Sequence, residues 1–203
     1  YLEAMPVTLL AIDRVEADDI IAYIANEIYT KPEQKVRIVS TDRDFLQLVN
    51  DRISVWSPVK KIFYTPARMQ EEFGFIPDNY LLYRTFIGDP SDNIPGIKGV
   101  GIKSILKEFP EFATEPYNID RILSENNVKQ QDKPKAKVYQ KIAAAGDVLR
   151  LNRQLMQLKS VDIAGTTKLK VVDRLNADIA NLNVLKFKKM FMEDKMYSVI
   201  KDL

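Results

Sequence analysis

Val36-Arg37-Ile38-Val39-Ser40-Thr41-Asp42-Arg43-Asp44-Phe45 is a short, β-branched apolar run that ends in a pair of carboxylates. The run has the length and composition of a buried strand, and the residues from Phe45 to Val49 return to helical spacing. Asp42 and Asp44 therefore lie beyond the carboxyl end of a strand, the edge at which open parallel sheets bind their ligands. A second cluster repeats the arrangement. Val7–Ile12 reads as another buried strand, and Val15-Glu16-Ala17-Asp18-Asp19 opens an amphipathic helix running to Tyr29, which puts Glu16 and Asp18 at a strand-to-helix junction. Strands followed by helices imply an α/β chain. Taken singly, either acid pair is accounted for by capping and the helix dipole, which favour carboxylates at helix N-termini.

A third cluster adjoins a different feature. Gly88-Asp89-Pro90-Ser91-Asp92-Asn93-Ile94-Pro95-Gly96-Ile97-Lys98-Gly99-Val100-Gly101-Ile102-Lys103 places two carboxylates just before a glycine-rich turn that opens a basic helix over 101–109. Asp89 and Asp92 are spaced to reach one hard cation. Gly96, Gly99 and Gly101 lack the Cβ atoms that would hold a phosphodiester away from the backbone, and the helix that follows aims free N–H groups outward beside Lys98 and Lys103. This is the composition of a grip on a nucleic-acid backbone. Close packing of a helix hairpin would explain the glycines alone; the adjoining acids favour the grip.

Glu16, Asp18, Asp42, Asp44, Asp89 and Asp92 would repel one another in one pocket unless divalent cations neutralised them, and hard ions such as Mg²⁺ select an oxygen-only ligand set. The sequence has neither histidine nor cysteine, which removes most zinc chemistry and most nucleophilic triads. Carboxylate plus metal remains. Two such ions about 3.5–4 Å apart activate water and stabilise the oxygens of an in-line phosphoryl displacement.

The order and spacing of Glu16-Ala17-Asp18-Asp19, of Ser40-Thr41-Asp42-Arg43-Asp44-Phe45 and of the stretch from Gly88 to Lys103 resemble those of the flap endonuclease and 5′→3′ exonuclease family, its phage members of the RNase H type above all. The resemblance covers about residues 5 to 110 and, more loosely, the helical remainder. It implies a structure-specific 5′ nuclease that removes RNA primers and 5′ flaps in replication. The implied fold is a parallel-sheet, PIN-like α/β core within residues 1–88, followed over 89–203 by a helix-three-turn-helix and a C-terminal helical region. By the same resemblance Glu16, Asp18, Asp19, Asp42, Asp44, Asp89 and Asp92 become ligands or outer partners of two Mg²⁺ or Mn²⁺ ions. Gly96, Lys98, Gly99, Gly101 and Lys103 become the duplex grip, which often holds a potassium ion. The implied partners are DNA with a 5′ flap or an RNA/DNA primer duplex, and replication proteins, for a monomer.

In that family a first strand bearing another metal-binding Asp, and a basic helical arch, come well ahead of the Glu-Ala-Asp-Asp segment. Fifteen residues precede Glu16 here, and Asp13 does not match the absent ligand. The expectation is a fragment that folds only with a supplementing strand. Two readings therefore stand beside the nuclease: a catalytically incomplete DNA-binding fragment, and a replication-partner domain whose acids merely cap helices.

Composition agrees with the leading reading. The chain has 203 residues, 46% of them hydrophobic, enough for a sizeable core. No apolar run approaches the roughly 20 residues of a membrane span, and the absence of cysteine favours an intracellular setting. A net charge of +2 conceals an asymmetry: residues 1–30 carry six acids against Arg14, whereas residues 133–201 carry 15 Lys and Arg against six acids. Basic flanks draw in phosphate while an acidic centre holds metal.

Beyond the sheet, Ile53–Trp56 and Lys61–Tyr64 suggest a hairpin, and helices are expected over 66–74, 78–87, 147–158 and 182–192. Pro110 should stop the helix after the glycine turn, and Lys129–Pro134 reads as an exposed connection. Trp56 is expected in the core, and Met190, Phe191, Met192 and Met196 are expected to cap it.

Overall fold

Parallel pairing of Val36–Val39 (β1) with Ile53–Ser57 (β2), register Val36↔Ile53 to Val39↔Trp56, forms the heart of the sheet in a computed structural model that describes residues 1–200, the last two by backbone alone. Ile62–Tyr64 (β3) returns antiparallel to β2, giving three strands in the order β1-β2-β3. The sheet is mixed rather than all parallel, and the expected hairpin is present. Ile38, Ile53, Val55 and Tyr64 point into the core, whereas Val39 is 63% exposed, so β1 buries one face only.

Contacts divide the chain into two units: Tyr1–Ile20 with the chain from Asp162 onward, and Ile21–Val161. The larger unit holds the sheet. After β3, Pro66–Phe73 (α2) starts at Thr65, whose side chain accepts from the Arg68 N–H, and stops at Gly74 with φ 79°. Tyr80–Ile87 (α3) follows, then Gly88–Asp89 (β4) paired antiparallel with Ile94–Pro95 (β5), and then Ile102–Glu108 (α4), which ends before Pro110. Ile119–Asp132 (α5), Lys137–Ala144 (α6) and Gly146–Met156 (α7) complete the unit. An aromatic cluster of Phe73, Phe75, Tyr80, Tyr83 and Phe112 fills the space beneath α3. Buried Asn79 anchors its rim, donating to the carbonyls of Phe112 and Glu115 and accepting from the Tyr117 N–H, all at 2.7 Å.

In the smaller unit, Ala17–Tyr23 is numbered α1 and crosses into the larger unit, where it continues as a π-helical turn over Ile24–Ile28. Gly165–Asn176 (α8), Val184–Glu193 (α9) and Tyr197–Ile200 (α10) make its C-terminal part. The Tyr1 ring packs on Phe187 and Phe191, and the Asn183 N–H donates to the Ala4 carbonyl at 2.9 Å. Arg174 Nε donates to the Leu9 carbonyl at 3.2 Å. No helix among the described residues is long and apolar enough to cross a membrane.

Four expectations need correction. Val7–Ile12 is not a strand: among the described residues it has no ladder partner, and without one an extended segment keeps its backbone groups for water and side chains. Lys129–Asp132 is the last turn of α5 rather than a connection, with Gln131 and Asp132 exposed and Lys129 turned back onto the Glu108 carbonyl and the Phe109 ring. Trp56 lies on the outward face of β2, half-buried against Phe63 at 4.4 Å, because strand alternation gives the core to Val55 and Ser57. None of Met190, Phe191, Met192 and Met196 is buried, since α9 meets the N-terminal turn over Leu2–Ala4 along a narrow stripe.

Candidate functional site

The end of β1 is shaped by a relay of local hydrogen bonds. The Ser40 N–H donates to the Trp56 carbonyl at 3.0 Å, extending the ladder one step past Val39. Ser40 Oγ accepts from the Asp42 N–H at 3.0 Å, and Asp42 Oδ1 accepts from the Asp44 N–H at 2.8 Å. Side chains that bond their own backbone two residues on produce a tight reversal. Asp42 is thus exposed with one oxygen committed to the turn, and Asp44 starts a 3₁₀ segment, Asp44–Leu48, whose other four residues are buried. Gln47 fixes that segment: its Nε2 donates to the Met156 carbonyl at 2.9 Å and its Oε1 accepts from the Leu158 N–H at 2.8 Å.

The second loop is the β4–β5 hairpin. Gly88 ends α3 with φ 70°, and a Cβ there would lie 2.3 Å from the Ile94 carbonyl oxygen. Gly96 is pressed equally hard, with a Cβ position 2.2 Å from the Ile87 oxygen. The strands therefore close only with glycine at both places, and the turn between them, with Asn93 at φ 58°, folds Asp92 back beside Asp89. Asn152 on α7 clamps this hairpin, its Nδ2 donating to the carbonyls of Thr85 at 2.9 Å and Pro95 at 2.8 Å. The end of α7 thus holds one acid loop through Gln47 and its middle holds the other through Asn152.

Carboxylate oxygens of Asp44, Asp89 and Asp92 lie within 4.8 Å of one another. Asp89 Oδ1 accepts from the Ser91 N–H at 2.9 Å and from Ser91 Oγ, and Oδ2 accepts from Arg84. The Ser91 hydroxyl first, and the Ser91 N–H and Arg84 after it, outweigh burial and hold the Asp89 carboxyl below the usual range. Asp44 goes the other way: burial, with the charges of Asp42 and Asp89, pushes it up against the pull of Arg84. Asp44 Oδ1 is buried, sits 2.8 Å from Arg84 Nη2, yet has no hydrogen bond of acceptable angle. A buried oxygen left short of a donor, facing two more carboxylates, offers the oxygen-only ligands that a hard divalent cation accepts.

Other expected site residues fall into separate groups. Glu16, exposed, with Asp18 and Asp19, half-buried, stand at the start of α1 in the smaller unit. In the glycine turn Lys98 and Lys103 are exposed. Gly99 takes φ 78°, and Gly101 caps α4 with nothing within 4 Å of its Cβ position. Gly96 differs from them, because its missing Cβ is required by the chain's own backbone. Lys141 of α6, which sequence reasoning did not single out, donates from Nζ to the Lys98 carbonyl at 2.7 Å and braces the turn.

Open space at Gly101 makes it a clean probe. Gly101→Val should leave the fold within about 1 kcal/mol of the parent, as expected of a cap position, while duplex affinity falls about tenfold through lost backbone approach to phosphate. Gel-shift titration beside thermal melting measures both; unchanged affinity would remove the turn from the interface.

Residues 1–74 match the family described as 5′-3′ exonuclease, N-terminal resolvase-like domain. The chain is 36% identical over 156 residues to the thermostable DNA polymerase I of Thermus thermophilus, spanning 75% of this chain and 17% of that protein. It is 40% identical over 126 residues to a 5′-3′ exonuclease of Buchnera aphidicola, spanning 61% of this chain and 44% of the relative. Among solved structures, the bacteriophage T5 D15 protein co-crystallised with metal ions superposes with a TM-score of 0.60 at 26% identity, covering 91% of this chain and 61% of that one. The same values hold for T5 D15 flap endonuclease in a pseudo-enzyme-product complex with DNA and metal ions. The chain therefore spans less than half the length of these curated relatives.

Proposed function

We propose, from its likeness to 5′-3′ exonucleases and to a flap endonuclease, that the chain is the metal-dependent part of a 5′ nuclease that hydrolyses phosphodiester bonds at 5′ ends and flaps. One observation carries the reading: Asp44 and Asp89, 45 residues apart, meet Asp92 with oxygens within 4.8 Å, at the carboxyl end of β1 and beside a glycine turn. Asp44, Asp89 and Asp92 are the proposed ligands of the cations, Mg²⁺ or Mn²⁺, with Asp42 supporting them through the turn. Glu16, Asp18 and Asp19 are proposed as the carboxylates of a second ion, on the strength of the family resemblance. Bound there, the ions would supply Lewis-acid activation of water and stabilisation of charge on the phosphate oxygens.

The residues around the ions do the positioning. The glycine turn, with open space at Gly101, only the Lys141 ammonium beside Gly99, and Lys98 and Lys103 exposed, would take the duplex backbone without reading sequence. A potassium ion at the turn, proposed on the family resemblance, would compete with the Lys141 ammonium for the Lys98 carbonyl. Proposed substrates are DNA with a 5′ flap and RNA/DNA primer duplexes, acted on by a monomer inside the cell, in company with replication proteins.

Removing both lysines tests the grip separately from the chemistry. Lys98→Ala with Lys103→Ala should lower the slope of log affinity against log salt by about 2 and weaken binding alike for every sequence. Affinity measured at several salt concentrations decides it; an unchanged slope would place the phosphate contacts elsewhere.

A further inference from the structure

Arg84 is a charge where the sequence supplies a core position. It stands on α3 among buried Tyr80, Leu81, Leu82, Thr85 and Phe86, and is itself only 8% exposed. Residues of its kind are almost never fully buried without a partner. Its partners are two of the three clustered carboxylates: Nη2 lies 2.8 Å from Asp44 Oδ1 and also donates to Asp89 Oδ2, joining loops that are far apart in sequence. The pairing is poorly made as a structural device. Arg84 Nε is buried with no hydrogen-bond acceptor, and Asp44 Oδ1 lacks a well-angled donor. A buried ion pair favours a fold only when its remaining donors and acceptors are satisfied, and this one leaves one of each unfilled.

We propose that Arg84 is a resident counter-cation of the carboxylate cluster: it holds Asp44 and Asp89 together when no divalent ion is bound, and it competes with that ion for the same oxygens. The inference rests on the metal-site reading above and assigns Arg84 a role in it as a positioning residue. Three carboxylates with one guanidinium carry a net charge of −2, which a single divalent ion balances; without the guanidinium the same oxygens repel one another more strongly and attract a cation more strongly. Loss of Arg84 should thus weaken the metal-free protein and tighten metal binding at once. An arginine placed only to fill the core has no reason to produce that combination.

The test is calorimetric titration with MnCl₂ and thermal unfolding, in EDTA and in saturating Mn²⁺, of the parent chain, Arg84→Met and Arg84→Lys. Arg84→Met should melt well below the parent in EDTA, regain most of the deficit in Mn²⁺, and bind Mn²⁺ about tenfold more tightly, the equivalent of 1.4 kcal/mol. Arg84→Lys keeps the charge but not the planar guanidinium whose Nη2 reaches both carboxylates, and should fall between the two. If Arg84→Met is unfolded in EDTA, refolding by Mn²⁺ supports the proposal and failure to refold at saturation contradicts it. An equal deficit in both media with Mn²⁺ affinity unchanged or weaker would overturn it, leaving the metal site intact. Failure of the parent chain to bind Mn²⁺ would overturn the site reading itself.

Discussion

Asp44→Asn should lower metal-dependent cleavage of a 5′-flap substrate by roughly a thousandfold, the several kcal/mol that a metal contributes to stabilising transition-state charge. The substitution keeps the shape of a side chain whose Oδ1 is buried 2.8 Å from Arg84 Nη2, and removes the charge from a buried cluster oxygen left without a good hydrogen bond. Duplex affinity should change by less than about threefold, since phosphate contacts govern it and the proposed ones are at the glycine turn. Cleavage and gel-shift assays run on the same preparation separate the two effects. A parallel fall in both would mean that Asp44 holds up the fold rather than a cation.

Gly96→Ala should cost about 3 kcal/mol or more, lowering the melting temperature by about 10 °C. A Cβ there would lie 2.2 Å from the Ile87 oxygen, 2.3 Å from its carbon and 2.7 Å from the Phe86 oxygen, and no side chain is available to move aside. The hairpin would have to open, taking Asp89 away from Asp44, so metal affinity should fall with stability. Gly101→Ala is the control, with nothing within 4 Å and an expected change under about 0.5 kcal/mol. If the two alanine variants melt together, the Gly88–Gly96 approach is looser than described.

These two variants show which parts of the molecule were legible in the sequence. That Asp44 would meet Asp89 and Asp92 was legible only from the acid pairs taken together, because a single pair has a structural use in capping a helix. β1, β2, the hairpin to β3, and the stop of α4 at Pro110 could be read directly, all set by local composition. Val7–Ile12 could not, because an apolar run becomes a strand only when something pairs with it, and pairing is not a local property. Gly96 looked like Gly99 and Gly101 in sequence, yet only the fold reveals that its bare Cα faces Ile87 rather than solvent. Gln47 and Asn152, which fasten the two acid loops to α7, bond to carbonyls and an N–H far along the chain, and no spacing rule anticipates them. Arg84 did leave a signal. A lone arginine at an inward position of an apolar helix, five residues before Asp89, requires a buried anion, and the sequence offers Asp89 as the first candidate.

Arg84 also changes how the acidic cluster is understood. Divalent cations were expected to neutralise the clustered acids, but one guanidinium already serves both Asp44 and Asp89. The site is therefore a partly neutralised cluster whose affinity for a cation reflects competition as well as ligand number. A lower affinity obtained this way keeps the carboxylates in place between binding events.

Anomalous scattering at the manganese edge, from crystals of the chain grown with MnCl₂, tests the central claim most directly. A manganese peak bounded by Asp44, Asp89 and Asp92 is expected, with Arg84 drawn back from the oxygens it holds in the metal-free protein. Saturating manganese with no peak among these three carboxylates would contradict it.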